Sequence, residues 1–494
     1  MSFSNLTITE RYKIAWPAII ILGGILFGLF MLFLNFLPAR WGILVAIGMM
    51  VPFIALVTGD VKRFFLAILV FSLPIQLDIT IRHSGHLGGA AGFIISLFDI
   101  TLAVLYILWI SEIVRRKTRI NFFPRITLPF FFLIGMATLS MVNASSPRLS
   151  LFEIVEVFKM YLGFLYIANN LRDRKEIQFV VIFLLLGLFL ESMLALAQYK
   201  LDRPLVPDIL GGPKRIRYIR LGEPLSRISG TWVSYNDFAW YLTFMLPISM
   251  SLLFSRIRGI YKLMCGLTLV VGIGALICTL SRAGWYSFGI AISMVLLLSF
   301  SKAKGKTGLR NFSTSIVAVL IIISIIVTVN PQFLNIVNRR IFSDDYGAAS
   351  SRIPQMQIAS NIIRTNPFLG VGINNYTEVM QNYDTTDIRL TSITPYQVHN
   401  IFLQIAAEMG IIGLAIFIWL ICIVYRDGLY CIESSRDFMT AVSIGILGGV
   451  TAFLIHGLVD AACLGNHLFL IFWIFAGLIL AIRKIESKVE SFSV

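Results

Sequence analysis

Apolar runs of about the length that crosses a lipid bilayer recur along the whole chain, with polar or Arg/Lys-rich breaks between them. A membrane-spanning helix needs roughly 20 such residues, because each residue advances the helix by about 1.5 Å. Backbone groups in hydrocarbon must also be hydrogen-bonded within their own segment, which favours helices. Of the 494 residues, 57% are hydrophobic and 14% are charged, which excludes a soluble globular protein. We therefore predict an all-α fold, a polytopic transmembrane helical bundle of about 12–14 spans.

The expected spans follow the apolar runs, although residues 64–77 make a short one and residues 149–170 carry charged side chains. They are residues 14–37, 42–58, 64–77, 96–112, 127–142, 149–170, 178–198, 232–254, 262–281, 284–301, 312–329, 400–424, 438–456 and 467–482. No polar block between them is large enough for a soluble domain, so we expect residues 1–494 to form a single integral membrane domain. The first run is too long for a signal-peptide core and no small-residue cleavage site follows it, so we expect a retained anchor.

Basic residues predict on which side of the membrane each loop lies. More than half of the 41 Lys and Arg residues fall in short segments on the side that carries both termini. Such an excess marks the cytoplasmic side. Most of the remaining basic residues are arginines in two loops on the opposite side, residues 199–231 and residues 330–398. We interpret the first as an outer basic loop and the second as a large outer loop that is partly helical.

Three arginines near outer span boundaries are candidate ligands for an anion: Arg227, Arg282 and Arg352. Arg282 lies in a turn of a few residues between two apolar runs, where the orientation of the chain does not require a positive charge. Guanidinium groups bind phosphate oxygens with paired, planar donors, so the outer arginines as a group favour an anionic ligand at the membrane face. The alternatives are a solvated loop charge for each residue and, for Arg282, a side chain that snorkels to the interface.

His399 is the candidate proton acceptor, because it lies where the loop 330–398 meets the next span and neutral imidazole accepts a proton near pH 7. His456 and Asp460 are four residues apart, which in a helix makes either a local pair or a unit that orients a third group. We favour the local pair. Glu408 lies inside an apolar span, where a charge at the centre costs about 2.5–3.5 kcal/mol, so it should face protein or water.

Neither a metal nor a cofactor is expected. The five histidines lack the helical His-x-x-x-His spacing of a catalytic metal centre, and the five cysteines have no paired spacing. The segment Asn366–Tyr376 contains a proline and two glycines, which predict a turn that lies close to a neighbouring backbone and braces it. It has no Gly-x-Gly-x-x-Gly pattern, so we expect neither a nucleotide nor a nucleic acid as a partner.

Four features in chain order resemble the O-antigen ligase and polymerase family of bacterial envelope glycosyltransferases. They are Arg282, Arg352, the turn Asn366–Gly372 and the string His399-Asn400-x-x-Leu403-Gln404. The resemblance spans about residues 227–425 and extends as general architecture over the other spans. It implies a multi-pass protein of the bacterial inner (cytoplasmic) membrane with both termini cytoplasmic. It also implies an active site on the periplasmic face, beneath residues 330–398 as a large periplasmic loop.

The resemblance also implies a reaction and a role for each matching residue. The family transfers a glycan from undecaprenyl diphosphate to an acceptor without a metal, so the implied partners are that lipid-linked glycan, the bilayer, and a hydroxyl of a glycan, lipid A core or another acceptor. His399 matches the catalytic base, and Arg282 and Arg352 match the arginines that engage the lipid diphosphate. Arg227 is our own addition to the diphosphate-binding set. Four further residues are expected to support the site: Asn400, Glu408, His456 and Asp460.

The chemistry of the residues themselves agrees with this reaction. Two rival functions stay open. An acceptor hydroxyl must lose its proton as it attacks the anomeric carbon, and an imidazole, with a reference pKa of about 6.5, can take it. Attack opposite the leaving group would invert the anomeric configuration. An anion transporter, for bicarbonate for example, would also collect anions with outer arginines, but it should show polar residues or broken helices near the midplane. A flippase or lipid-binding scaffold would use the arginines and would not need His399.

Overall fold

The computed structural model describes the chain in separate ranges. These are residues 59–75, 78–81, 84–86, 88–116, 123–201, 227–232, 234–302, 348–385 and 397–492, with residues 310, 313 and 317. The chain divides into two compact units. The first, Met1–Phe64 with Pro207–Gly212, is described only at residues 59–64. The second, Phe65–Val206 with Pro213–Val494, contains the packing and the site considered below.

The described residues form helices almost throughout, which confirms the predicted all-α class. In chain order the helices are α1 (Val61–Phe71), α2 (Leu97–Arg116), α3 (Thr127–Ser140), α4 (Pro147–Asn170), α5 (Arg174–Leu201), α6 (Tyr235–Phe254), α7 (Gly259–Cys278), α8 (Arg282–Lys302), α9 (Ala348–Thr365), α10 (Tyr376–Val379), α11 (Ile401–Ser434), α12 (Phe438–His456) and α13 (His467–Phe492). Within this part of the chain, 8 helices are long and apolar enough to cross a membrane: α2, α5, α6, α7, α8, α11, α12 and α13. The protein is therefore a multi-pass membrane protein.

The remaining predicted spans have different outcomes. Residues 14–37, 42–58 and 312–329 lie outside the described residues. The predicted span at 64–77 is wrong. Its helix, α1, has 11 residues and ends at Phe71 before a turn that contains Pro74, so it is too short to cross a bilayer. Helix α3 has 14 residues, and α4 has 24 but carries buried carboxylates.

A short hairpin is the element that hydropathy did not predict. Strands β1 (Asp78–Ile81) and β2 (Phe93–Ser96) pair antiparallel, with Asp78 opposite Ser96 and Ile81 opposite Phe93. Such a two-stranded ribbon is marginal by itself and needs other elements against it. Here Phe93 packs edge-on against Phe152 of α4, with ring centroids 4.8 Å apart. The hairpin thus lies against the helical bundle, at the start of α2.

Helices α6 and α12 form the centre of the bundle. In each of these two helices, 83% of the most apolar 18-residue stretch is buried, against 28% in α2 and α8. Small residues allow the two helices to approach closely, as is usual in membrane bundles. A Cβ atom at Gly449 would overlap the carbonyl oxygen of Phe244, and one at Gly445 would overlap the backbone of Ile248. This close packing carries the C-terminal end of α12, where His456 lies, against α6.

Candidate active site

The start of α11 is tied to the turn that follows α12. Asn400 caps α11, because its Oδ1 accepts hydrogen bonds from the backbone N–H groups of Phe402 and Leu403 at 2.9 and 3.0 Å. Its Nδ2 donates to the carbonyl oxygen of Leu458 at 3.0 Å. The Ile401 N–H donates to the carbonyl oxygen of Gly457 at 2.7 Å. These bonds hold the residue just before α11 beside the residues just after α12.

His399 and Asp460 meet at this junction. The Nδ1 atom of His399 is 3.0 Å from Oδ1 of Asp460. Burial raises the pKa of the Asp460 carboxyl, but the hydrogen bond from His399 and the nearby His456 outweigh it and hold that pKa well below its usual range. Because an ionised carboxylate only accepts hydrogen bonds, Nδ1 of His399 carries the proton and Nε2 is the acceptor atom of the neutral ring. The side chain of His399 is 30% exposed, so this ring can be reached from outside the protein interior.

His456 lies on the other side of the same carboxylate. Its Nε2 is 3.6 Å from Oδ2 of Asp460, a separation too long for a hydrogen bond but within ion-pair range. The ring is fully buried and stacks on Trp240 of α6, with centroids 4.7 Å apart and planes 5° from parallel. The local pair favoured from the sequence is therefore present only as a looser contact. Asp460 makes its hydrogen bond with His399 instead, across 61 positions of sequence.

Arg227 is buried and bound to the turn that leads to Arg282. Its Nε donates to the carbonyl oxygen of Thr279 at 2.7 Å, and its Nη2 donates to that of Leu280 at 3.2 Å. The guanidinium carbon lies 3.2 Å from the centroid of the Tyr235 ring. Leu280 has a φ of 53°, which is unusual for a bulky residue. Arg227 thus holds a strained turn that ends just before Arg282, the first residue of α8.

The N-terminal part of α6 connects this turn to the histidines. Tyr235, its first residue, contacts Arg227, and Trp240, five residues later, stacks on His456. Five residues correspond to about 7.5 Å along a helix. The turn before Arg282 and the His456 ring therefore both lie against the N-terminal part of α6. No feature of the sequence relates them.

Arg352 lies on α9, and α9 packs against the residue that precedes His399. Ile358, Ala359 and Ile362 of α9 share a buried apolar cluster with Val398 and with Ala407 of α11. The side chain of Arg352 is half-buried. Packing of α9 therefore places Arg352 on an element that contacts the segment before His399.

Glu408 faces protein, as the cost of a charge in a span predicted. Its Oε1 accepts from Nε2 of Gln404 at 2.7 Å and from the Tyr376 N–H at 3.4 Å. Two residues later α11 is broken at Gly410, whose φ is 71° and ψ is 178°. Glu408 thereby connects the broken helix to the start of α10.

The turn predicted at Asn366–Tyr376 lies in this helix break. The N–H of Val371 donates to the carbonyl of Ala407, and the N–H of Gly372 donates to that of Glu408, each at 3.0 Å. A Cβ atom at Gly370 would overlap the Glu408 carbonyl group, so the predicted close approach to a neighbouring backbone is confirmed. The turn supplies partners to helical groups that the break leaves unpaired.

Sequence reasoning missed a second polar network, which joins residues far apart in the chain. Glu153 of α4 accepts from the N–H groups of Ala90 and Gly465 at 2.8 and 2.6 Å. The ring nitrogens of His86 lie 2.8 Å from Oε1 of Glu378 and 2.8 Å from Oδ1 of Asn374. One sequence feature could have indicated this network: Glu153 lies in a predicted span, where a carboxylate is costly unless it faces protein or water. Among the described residues, no group of three or more His, Cys, Asp or Glu side chains is placed to hold a metal ion.

A comparison with protein families now adds to this geometry. A model of the family described as O-antigen ligase matches residues 267–418, which is less than half of the chain. The match supports assignment to the O-antigen ligase and polymerase family. The matched region includes Arg282, Arg352 and His399, whereas Arg227 and Asp460 lie outside it. No curated protein matches the chain.

This match to the O-antigen ligase family agrees with the multi-pass fold. It supports a membrane glycosyltransferase of the ligase or polymerase type, with glycan substrates and a lipid bilayer as its setting. Two of the features that carried the resemblance are linked through α6. Arg282 follows the turn that Arg227 binds beside Tyr235, and His399 pairs with Asp460 next to His456, which stacks on Trp240. Helix α9, which carries Arg352, packs against Val398 through Ile358, Ala359 and Ile362.

Proposed function

We propose that the protein transfers a glycan from undecaprenyl diphosphate to an acceptor hydroxyl, with His399 as general base and inversion at the anomeric carbon. The observation that carries this proposal is the hydrogen bond of 3.0 Å between His399 and the buried carboxylate of Asp460. A carboxylate on Nδ1 orients the imidazole, leaves Nε2 as the acceptor atom and stabilises the imidazolium that forms. A partly exposed imidazole in this arrangement suits proton abstraction from an incoming hydroxyl.

The reaction balances without a redox or metal step. The acceptor O–H loses its proton to Nε2 of His399, and the oxygen forms a bond with the anomeric carbon. The bond from that carbon to the diphosphate oxygen breaks, and the electron pair leaves with the diphosphate. Arg282 and Arg352 would stabilise the developing negative charge through paired donors. The dipole at the N-terminus of α8, where Arg282 lies, has the sign that favours an anion.

Arg227 enters the proposal as a positioning residue. Two of its donor groups are bound to the Thr279 and Leu280 carbonyl oxygens, so its contribution to diphosphate binding would be to hold the turn before Arg282. His456 and Asn400 would position the catalytic pair, His456 through Asp460 and Asn400 through the start of α11. The site would lie on the periplasmic face of the inner membrane, with both termini cytoplasmic. The family match gives no support to the anion-transporter alternative.

The decisive experiment is transfer by purified protein from a lipid-diphosphate glycan to an acceptor. We expect His399→Ala to lower kcat by about 10²–10⁴-fold, the usual contribution of a positioned general base. Arg352→Ala should lower kcat/KM for the donor, whereas Arg364→Ala, on the same helix but exposed, should not. EDTA should leave the rate unchanged. Transfer by His399→Ala at the wild-type rate, or its loss in EDTA, would contradict the proposed mechanism.

The same preparation tests the rival function. Liposomes that contain the protein should show no uptake of labelled bicarbonate above that of empty liposomes. Protein-dependent uptake that His399→Ala does not alter would favour the transporter. Glycan profiles of a deletion strain would separate the two acceptor types, because loss of capping on the lipid A core indicates ligation and single-repeat products indicate polymerisation.

A further inference from the structure

A cavity of about 300 Å³ lies between the hairpin, α2, α4 and the turn before α13. This volume is at the lower end of the range of about 300–1,000 Å³ for small-molecule sites, which suits one compact ligand group. Its walls include Asp78 of β1, Asp99 of α2, Glu156 and Lys159 of α4, and His467 at the start of α13. It is thus built from four elements that are distant in the sequence.

The cavity shares a wall with the candidate active site. Gln397 lines it and lies two residues before His399, while Cys463 lines it and lies three residues after Asp460. These two wall residues contact each other, because Nε2 of Gln397 donates to Sγ of Cys463 at 3.0 Å. A group bound in the cavity would therefore lie next to the segments that carry the proposed base and its carboxylate.

An ion triad forms the polar floor of the cavity. Nζ of Lys159 lies 2.9 Å from Oδ2 of Asp99 and 2.8 Å from Oε2 of Glu156, and it donates to the carbonyl of Ile94 at 2.6 Å. The side chains of Lys159 and Asp99 are 22% and 17% exposed, so part of each reaches the cavity. With Asp78 at the rim, three carboxylates oppose one ammonium group.

This charge distribution selects against a diphosphate. An anion would meet an excess of carboxylates in a partly buried site, where repulsion is screened less than in water. Hydroxyl groups, in contrast, can donate hydrogen bonds to carboxylate oxygens. Phe98, Met160 and Leu470 complete the lining with apolar surface. Hydroxyl-binding groups beside an apolar surface match a sugar ring, which has hydroxyls at its edge and C–H groups on its faces.

We propose that this cavity binds one uncharged sugar residue of a glycan substrate. The proposal rests on the proposed glycan transfer and adds to it a binding site separate from the arginines. The sugar could belong to the acceptor or to the donor, since the chemistry of recognition is the same. Transfer kinetics distinguish the two sources, and direct binding tests the site without turnover.

Binding is measured by saturation-transfer NMR on full-length protein in nanodiscs, with glucose, galactose, rhamnose and N-acetylglucosamine as separate probes. At least one sugar should receive saturation from wild-type protein, and Asp78→Asn and Glu156→Gln should reduce that signal at least fivefold. Glu433→Gln, an exposed carboxylate at the far end of α11, is the matched control and should retain it. Asp78→Asn tests the site even if Glu156→Gln, which removes a partner of Lys159, does not fold.

His399→Ala should retain sugar binding, which separates failure of the cavity from failure of the proposed catalysis. Inorganic diphosphate should not displace the sugar. In transfer assays, Asp78→Asn should raise the KM of one substrate roughly tenfold, the effect of losing one hydrogen bond to a charged group, with kcat nearly unchanged. A rise for the acceptor assigns the sugar to the acceptor, and a rise for the donor assigns it to the donor.

Four results would overturn the inference. The first is saturation transfer to none of the four sugars, and the second is equal transfer in wild type and in folded Asp78→Asn. The third is displacement of the sugar by diphosphate, which would make the cavity an anion site. Unchanged KM values for both substrates in Asp78→Asn would equally contradict it. Loss of binding in the cavity variants would support the inference even if His399→Ala still transferred glycan.

Discussion

A carboxylate between two imidazoles is the central feature at the scale of single residues. Asp460 hydrogen-bonds to His399 at 3.0 Å and lies 3.6 Å from His456. His456 is fixed by its stack on Trp240, so the carboxylate has one rigid neighbour and one partly exposed neighbour. This asymmetry leaves the His399 ring accessible and encloses the His456 ring.

Asp460→Asn should lower kcat by about 10²–10⁴-fold and leave both KM values within about twofold. The physical reason is that an amide no longer holds Nδ1–H of His399 or stabilises the imidazolium, so the ring loses its catalytic tautomer. Steady-state transfer kinetics check this, with Glu433→Gln as the carboxylate control. An Asp460→Asn enzyme with a wild-type kcat would show that the pair with His399 is structural only.

Arg227 binds the backbone of the turn before Arg282. Arg227→Met should leave two buried carbonyl oxygens without their charged donor, at about 1.5–3 kcal/mol for each hydrogen bond. Thermal unfolding should therefore occur at a lower temperature, and transfer should fall in parallel as the Leu280 turn relaxes. Arg258→Met, an exposed arginine before α7, is the control. An unchanged melting temperature with a raised donor KM would instead indicate direct contact with the diphosphate.

At the scale of elements, the break in α11 explains how the loop and the helix support each other. The segment Asn366–Gly372 donates N–H groups to the carbonyls of Ala407 and Glu408, and the Ile411 N–H donates to the carbonyl of Pro367 at 2.8 Å. Helix breaks in a membrane are tolerated where other protein groups satisfy the backbone. The loop segment thus supplies hydrogen-bond partners to backbone groups of α11 at its break.

Gly410→Ala should destabilise the protein by about 1–3 kcal/mol or more, because the backbone conformation at Gly410 is accessible in practice only to glycine. A Cβ there would also overlap the Phe368 carbonyl. Gly289→Ala in α8 is the matched control, since its added Cβ would meet no atom within 4 Å. Thermal unfolding of both variants decides the matter, and equal melting temperatures would show that the break is not strained.

At the scale of the whole molecule, Asn374 joins three separate parts of the chain. Its Oδ1 accepts from the N–H of Gly89 at 2.6 Å, and its Nδ2 donates to the carbonyls of Ala90 and Leu149 at 2.9 and 3.1 Å. His86 reaches the same Oδ1. The loop before β2, the start of α4 and the segment before α10 are consequently held together beside the cavity.

Asn374→Ala should loosen that junction, because it removes the partners of several buried backbone groups. Hydrogen exchange should become faster for amides of residues 88–96, with those of α12 unchanged. Asn361→Ala is the control, since the side-chain amide of Asn361 donates to the carbonyl of Tyr383 and to Oγ1 of Thr385, and its loss should leave residues 88–96 protected. Unaltered exchange at Gly89 in Asn374→Ala would show that other contacts hold the loop.

Helix placement was readable from the sequence, whereas the hairpin and the helix break were not. Predicted spans such as 438–456 and 467–482 coincide with the starts of α12 and α13, because a bilayer imposes both a length and a composition on each span. Strands β1 and β2 depend on packing against α4, which hydropathy does not record. Gly410 lies in an apolar run that looks continuous, and its conformation follows from the docked loop.

Local hydropathy and residue chemistry were enough to predict the class of the protein, its helices and a set of charged residues in a characteristic order. Which of those residues meet could be read only from the packed helices. The tertiary structure paired Asp460 with His399 more closely than with His456, bound Arg227 to the turn before Arg282, and enclosed Asp99 and Lys159 in a cavity. The physical reason is that each of these contacts joins different elements, and their proximity arises from helix packing that no local pattern encodes.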